Sequence, residues 1–278
     1  MDRGENPSLT HDPIPPAALD FTLQVERLYA ALIHTAKTSA AAEPALNEEP
    51  GLGGKLLYAA ELAPHGRALL VAGNIAGAAS LAATADPASG KQAIRDGVAD
   101  FLVNSLDEAL RILKNEIRKR ETVAVCIAAA PEAVEREMLE RGVLPDLLPL
   151  IDFPVSQPLG QGVPRIQLSP AMSNQVLVAW SVPNAPAQWL PRLDALFIDC
   201  FRTTASTEGY AARRWLRLAP RYLGRLAHDV RVLHCQPDVA KEFVSRTQSA
   251  VDRGEVAVDV RINLNNSEEV FLSRPSPS

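Results

Sequence analysis

The chain has 278 residues, 47% of them hydrophobic, and is long enough to bury one large core or two modest ones. Its formal net charge is −5 and its isoelectric point is near 5.6, so no basic field attracts a phosphate backbone and nucleic acid is not an expected partner. No apolar run approaches the roughly 20 residues of a membrane span, and the polar, proline-rich start is not a secretory signal, so we expect a cytoplasmic globular protein.

The two ends of the chain are predicted to be flexible. Residues 1–18 form an N-terminal arm with four prolines, and residues 273–278 read SRPSPS. The segment 19–53 is predicted to be a helix followed by a soft linker. The helix runs from Leu19 to Thr38, since Val25, Leu28 and Leu32 recur at helical spacing.

Residues 54–150 alternate short apolar runs with amphipathic stretches, which is typical of βα units and a parallel sheet. The clearest helix is SLDEALRILKNEIRKR, where Ser105 and Glu108 predict a capping box. The strand TVAVCIA follows, and then the helix PEAVEREMLERG, with Pro131 in its first turn and Gly142 at its end.

The stretch RALLVAGNIAGAASLAA has two interpretations. A strand running into a helix would place Gly73 and Gly77 in a phosphate-binding loop. Alternatively, its small residues belong to a helix that packs closely on a sheet. The spacing G-x-x-x-G lacks the first tight glycine pair of a phosphate loop, which favours close packing.

Residues 151–272 form the C-terminal region. A proline- and glycine-rich crossover or lid is followed by the strand QVLVAW, a helix or strand around LDALFIDCF, a helix YAARRWLRLAPRYLGRLA broken near Pro220, the strand RVLHC, a further helix and the strand VAVDVRINL. This region is either a second small lobe or the completion of the first sheet. The predicted fold class is α/β, a Rossmann-like parallel sheet flanked by helices with additional C-terminal α/β structure.

An ordered set of short motifs lies between Gly54 and Asp146: GKLLYAAEL, a small-residue helix ending in AGAA, a strand ending in Asp86-Pro87, SLDEAL and RGVLPD. Together they resemble the nucleotide-binding domain of urocanase, the NAD-dependent urocanate hydratase of histidine breakdown. In that register RALLVAGNIAG is a helix and AASLAATAD is the second strand, and we prefer this assignment.

The resemblance implies a run of glycines after the first strand, where the backbone approaches the NAD pyrophosphate. Here the run reads ELAPHGR, from Glu61 to Arg67, and retains only Gly66. Pro64 has no N–H to donate, and Glu61 repels a dianion. A ribose-binding carboxylate is replaced by Thr84, and nothing after RGVLPD matches the polar segment that lines the cofactor site of the family. No bound cofactor is therefore expected.

The cysteines Cys126, Cys200 and Cys235 form neither a CxxC pair nor a Cys/His cluster, so no metal site is predicted and all three are interpreted as buried. The family has a catalytic cysteine with Arg-Trp close behind it. ALFIDCFRTT and Arg214-Trp215 resemble that motif only loosely. Catalytic residues stay unassigned.

The candidate ligand-binding residues are His65, Arg67, Glu61 and Asn74. His65 and Arg67 follow the first strand, at the edge of the sheet where α/β proteins bind ligands. An imidazole and a guanidinium there suit a small carboxylate or imidazole ligand. The alternative is a solvated turn that caps a helix. His234, at a strand end, is interpreted as structural.

The function predicted from these residues is that of a urocanase-like protein without NAD binding or hydratase activity, which binds a small ligand or a partner. The alternative is an NAD-dependent urocanate hydratase with a rebuilt cofactor site. A homodimer is expected, because the proline-rich arm and AARRWLRLAPRYLGRL offer apolar and aromatic surface.

Overall fold

The structure is a computed structural model that describes residues 16–39, 51–149, 159, 163–166, 174–201, 207–265 and 268–273. The predicted arm before Pro16, the linker 40–50, most of the predicted lid and the tail after residue 273 lie outside the described residues. In chain order the elements are α1 (Pro16–Ser39), β1 (Leu56–Glu61), α2 (Pro64–Ala76), β2 (Ala79–Ala83), α3 (Pro87–Arg95), β3 (Phe101–Val103), α4 (Leu106–Lys119), β4 (Val123–Ile127), α5 (Pro131–Glu140), β5 (Val176–Ser181), α6 (Pro186–Asp199), α7 (Thr207–Leu223), a 3₁₀ turn (Gly224–Ala227), β6 (Val230–Cys235), α8 (Pro237–Asp252), β7 (Val260–Leu264) and β8 (Glu268–Leu272).

Most helix starts follow one rule. Helices α2, α3, α5, α6 and α8 begin with a proline, whose fixed φ suits the first turn and whose missing N–H is not needed there. Helix α4 begins after Ser105, which accepts the N–H of Glu108 at 3.3 Å. The Glu108 carboxylate accepts in return from the N–H of Asn104 at 2.9 Å, one residue before the cap. The predicted capping box is confirmed with that difference.

The first sheet is parallel, with strand order β1-β2-β4-β3. Leu147 lies beside β1 and accepts the N–H of Tyr58 at 3.1 Å, which extends the sheet past that strand. The Rossmann-like sheet is confirmed, and so is the assignment of RALLVAGNIAG to a helix. The phosphate-loop interpretation of Gly73 and Gly77 is wrong. Gly73 lies inside α2, where a Cβ would come within 2.7 Å of the Ser80 hydroxyl.

The strands alternate their side chains between two hydrophobic cores. One face, including Leu57 and Ala82, packs under α2 and α1. The other face, including Leu81 and Val125, packs against α4 and α5. In this second core the buried Tyr58 hydroxyl donates to the buried carboxylate of Glu135 at 3.1 Å.

The C-terminal region has its own sheet, which is antiparallel with the order β6-β5-β7-β8. It does not complete the first sheet. The LDALFID part of LDALFIDCF is helical and forms the end of α6, and Cys200 and Phe201 follow the helix. The predicted break near Pro220 is wrong, since α7 continues to Leu223. The missing proline hydrogen bond is outweighed there by the burial of Trp215, Ala219 and Leu223 on one face of the helix.

Helices α1, α2 and α7 lie between the two sheets and share a continuous core with both. Arg214 of α7 donates from Nε to the Ile75 carbonyl of α2 at 2.7 Å, and the Tyr29 hydroxyl of α1 donates to the Ala211 carbonyl at 2.8 Å. The apolar face of AARRWLRLAPRYLGRL is therefore packed inside the chain. That segment no longer supports the predicted homodimer, which stays a prediction. No described helix combines the length and apolarity that a membrane crossing needs.

On the other side of the antiparallel sheet, the buried Asp194 of α6 is bonded to side chains of β5 and β6. The Asp194 carboxylate accepts from Trp180 Nε1 and from Arg231 Nε, each at 3.1 Å. The Trp180 ring stacks on Phe197 at a centroid distance of 4.8 Å. Burial raises the pKa of Asp194 to about 6, against the opposing effect of Arg231.

Replacing Tyr58 by Phe removes a donor from the buried Glu135 carboxylate. We expect the free energy of unfolding to fall by roughly 1–3 kcal/mol, measured by urea denaturation. Tyr222→Phe, at a half-buried ring, is the control and should change stability by less than about 0.5 kcal/mol. Equal effects of the two substitutions would contradict a specific role for the Tyr58 hydroxyl.

The Asp194 pKa predicts a pH dependence of stability. Because the folded-state value of about 6 exceeds the ordinary 3.8, the native state holds a proton that the unfolded chain releases. The resulting stabilisation is complete below the ordinary pKa and is lost as the pH rises through the folded one. Relative to Asp194→Asn, the wild type should lose roughly 1–3 kcal/mol between about pH 4 and about pH 7. A relative gain over that interval would show that the Arg231 ion pair dominates instead.

Candidate functional site

The carboxyl edge of the parallel sheet is the first candidate site, because α/β sheets bind ligands where neighbouring strands lead to helices on opposite faces. That crevice lies between β2 and β4, since α2 and α3 pack on one face and α4 and α5 on the other. Thr84 and Ala85 leave β2 there, and residues 128–130, all alanines, leave β4. These residues offer a single hydroxyl and no ionisable group.

The turn between β1 and α2 is tight. The N–H of Leu62 donates to the Ala83 carbonyl at 2.8 Å and so continues the sheet. Ala60 has a φ of 57°, a conformation that glycine adopts more easily. A Cβ on Gly66 would lie 2.0 Å from the Glu61 carbonyl oxygen. The one retained glycine of the family's run therefore lets the helix pack on the strand.

The structure gives His65 and Arg67 different partners. Gln24 of α1 is bonded to His65 Nδ1 at 2.8 Å, and burial lowers the pKa of His65. Arg67 forms an ion pair with Asp96, at the end of α3. Glu61 is exposed at the end of β1. These contacts direct the imidazole and the guanidinium towards two different elements.

Asn74 lies at the other end of α2 from His65. With a rise of about 1.5 Å per residue, their offset of nine positions in the helix separates the two by roughly 13 Å. Asn74 is buried, and its side-chain oxygen accepts from the Thr122 hydroxyl at 3.2 Å, at the amino end of β4. The structure therefore does not bring Asn74 together with His65, Arg67 and Glu61.

The side chains after β2 are already bonded. The Thr84 hydroxyl accepts the N–H of Asp86 at 3.2 Å. The Asp86 carboxylate accepts from Ala88 at 2.9 Å and from Ser89 at 3.2 Å, which caps α3. The carboxylate nearest the end of β2 therefore serves the first turn of a helix.

A second candidate site is a cavity of about 260 Å³ between α1, α7 and the end of β6, which we call the α1–α7 pocket. Ile33, Phe201 and Leu233 are among its apolar lining residues. Its polar lining includes two carboxylates and two imidazoles, from Glu26, His34, Glu208 and His234, and the thiol of Cys235.

Glu26 and His234 form a buried pair on the wall of this pocket. The Glu26 carboxylate accepts the backbone N–H of His234 at 3.1 Å, and its other oxygen is bonded to His234 Nδ1. This contact fixes the orientation of the ring. With Nδ1 protonated towards Glu26, Nε2 carries the lone pair of the neutral imidazole.

The cysteines are buried thiols. Burial raises the pKa of Cys200 to about 11 and that of Cys235 to about 12, so neither is a thiolate near neutral pH. The Cys200 thiol donates to the Leu196 carbonyl at 3.2 Å, and Trp215 Nε1 donates to the Val232 carbonyl at 2.8 Å. Cys200 and Arg214-Trp215 therefore have packing and hydrogen-bonding roles. Within the described residues, no group of three or more His, Cys, Asp or Glu side chains is placed to hold a metal ion.

Sequence reasoning missed the α1–α7 pocket, because its parts come from distant segments. Glu26 and His234 are separated by 208 positions in the chain. A signal did exist in α1, where Glu26 falls on the same helical face as the buried Tyr29 and Ile33. A carboxylate on an apolar face requires a buried partner, although the pattern does not say which one.

The Rossmann-like domain of the urocanase family matches residues 33–149 of this chain. This part of the chain is similar to a urocanase Rossmann-like domain. The match begins in the second half of α1 and includes the whole parallel sheet and helices α2 to α5. The C-terminal antiparallel sheet lies outside it. The chain as a whole is consistent with a divergent urocanase-like relative.

Within the urocanase-like domain, Gly66 is the position most sensitive to added bulk. Helix propensity alone would make alanine more stable there by about 1 kcal/mol. Because the new Cβ would lie 2.0 Å from a backbone oxygen, we expect Gly66→Ala instead to destabilise the protein by roughly 2–5 kcal/mol. Urea denaturation measures this. The neighbouring His65→Ala should cost only about 1 kcal/mol, and equal stability of Gly66→Ala and wild type would contradict the close packing.

Proposed function

We propose that this protein is a urocanase-like relative that does not bind NAD and does not hydrate urocanate. It acts instead by binding a small ligand. The observation that carries the proposal is the tight turn from Glu61 to Gly66. Phosphate binding at a helix N-terminus requires open backbone donors and room for the anion. In the family, a run of glycines supplies these backbone donors and this room. The residues of this turn supply neither the donors nor the room.

Three features of the turn support the loss of NAD. Pro64 has no N–H at the first position of α2. The Leu62 N–H is used by the sheet, and Gln24 of α1 is bonded to His65 at the start of the same helix. Each hydrogen bond to a charged group contributes roughly 1.5–3 kcal/mol, so the loss of several would weaken pyrophosphate binding by orders of magnitude.

The residues after β2 also offer few groups that could bind the adenosine end of the cofactor. Dinucleotide-binding sheets hold the ribose hydroxyls with a carboxylate after the second strand. Here Thr84 occupies that place and Asp86 caps α3 with both oxygens. The crevice between β2 and β4 adds only alanines. The residues present do not fit NAD at either end.

Ligand binding is the remaining role that the described structure supports, since the α1–α7 pocket is a formed cavity with an oriented histidine in its wall. A ligand at His65 and Arg67 is the other location, as predicted from the sequence. The three free, buried cysteines suit a reducing compartment and support the cytoplasmic location that we propose.

The test is the cofactor content of the purified protein. We expect no NAD in the supernatant after denaturation, measured by mass spectrometry, while a true urocanase purified in parallel releases it. Urocanate mixed with the protein and added NAD should keep its ultraviolet absorbance. Stoichiometric NAD, or a steady loss of urocanate at an enzymatic rate, would overturn the proposal in favour of a hydratase with a rebuilt cofactor site.

A further inference from the structure

The α1–α7 pocket has a size and a wall chemistry that narrow its ligand class. Its volume of about 260 Å³ is below the roughly 300–1,000 Å³ of pockets that hold drug-sized molecules. A single ring with a short polar arm is the largest ligand that suits it. The apolar residues Ile33, Phe201 and Leu233 supply walls for such a ring.

The described part of the pocket wall carries negative charge. Glu26 and Glu208 both line the pocket, and none of the described lining residues is a lysine or an arginine. Two carboxylates without a lysine or arginine among the described lining residues attract cations and repel anions.

The two carboxylates act on the same space. Burial raises the pKa of the Cys235 thiol, and the nearby charges of Glu26 and Glu208 raise it further. Because Glu26 is already bonded to the backbone and ring of His234, Glu208 is the carboxylate among the described lining residues that can neutralise a ligand. His234 lines the pocket, and the Nε2 atom of its neutral ring is a hydrogen-bond acceptor.

We infer that the α1–α7 pocket binds a small primary amine with an aromatic body, with Glu208 as its counter-ion and His234 as its acceptor. This inference rests on the ligand-binding part of the proposed function and does not depend on the loss of NAD. The sequence predicts a small carboxylate at His65 and Arg67. The ligand inferred here has the opposite charge and binds at a different place.

Three probes share one aromatic ring and differ in charge: benzylamine, benzyl alcohol and benzoate. Comparing their affinities separates the contribution of ligand charge from that of ligand shape. Isothermal titration calorimetry on the full chain should give a dissociation constant for benzylamine about tenfold lower than that for benzoate, with benzyl alcohol between them. Benzoate binding as tightly as benzylamine, or no saturable binding of benzylamine at millimolar concentration, would overturn the inference.

Glu208→Gln tests the counter-ion directly. It should weaken benzylamine about five- to tenfold and leave benzyl alcohol unchanged. The matched control is Glu140→Gln, on the exposed side of α5, which should change neither. Unaltered benzylamine binding by the Glu208 variant would refute its role.

Ala30→Phe tests the location, since Ala30 lines the pocket from a half-buried position of α1. The larger ring should abolish binding of benzylamine while the thermal unfolding midpoint stays within a few degrees of the wild type. Retained binding in a folded variant would place the amine elsewhere. Because these titrations contain no NAD, their failure is distinguishable from the discovery of bound NAD, which would contradict only the proposed loss of the cofactor.

Discussion

The close packing of α2 is the constraint on which the rest of the structure depends. Its residues from Ala68 to Ala76 are all buried, with the parallel sheet on one side and α1 and α7 on the other. Only small residues allow so near an approach, as the contact of Gly73 with Ser80 shows. Helix α2 is thereby enclosed along most of its length, and Gln24 of α1 is bonded to His65 in its first turn.

The same constraint explains which features the sequence could predict. The capped helix after Ser105 and the apolar strand around Val125 are encoded by neighbouring residues, so local pattern was sufficient. The glycines of α2 were ambiguous, because small residues suit both a phosphate loop and close packing. Only the ordered motifs of the family resolved the choice. The predicted helix break at Pro220 is wrong, because the burial of Trp215 and its neighbours overrides the low helix propensity of proline.

The candidate sites were less predictable, for a different reason. Sequence placed His65 and Arg67 at the correct edge of the sheet but could not show that Gln24 and Asp96 are bonded to them. It also grouped Asn74 with them, although a helix of this length carries that residue to its far end. Contacts between distant segments decide such questions, and periodicity carries no information about them.

The α1–α7 pocket lies across the boundary of the family match. Ile33 and His34 belong to the matched segment, whereas Glu26, Glu208 and His234 do not. Buried charge is unfavourable unless it is paired, and the pairing of Glu26 with His234 connects α1, in which the family match begins, to the antiparallel sheet that follows the match. The chemistry of the pocket therefore depends on how this chain joins the domain to its own C-terminal sheet, and the family match does not include the residues that supply most of its charge.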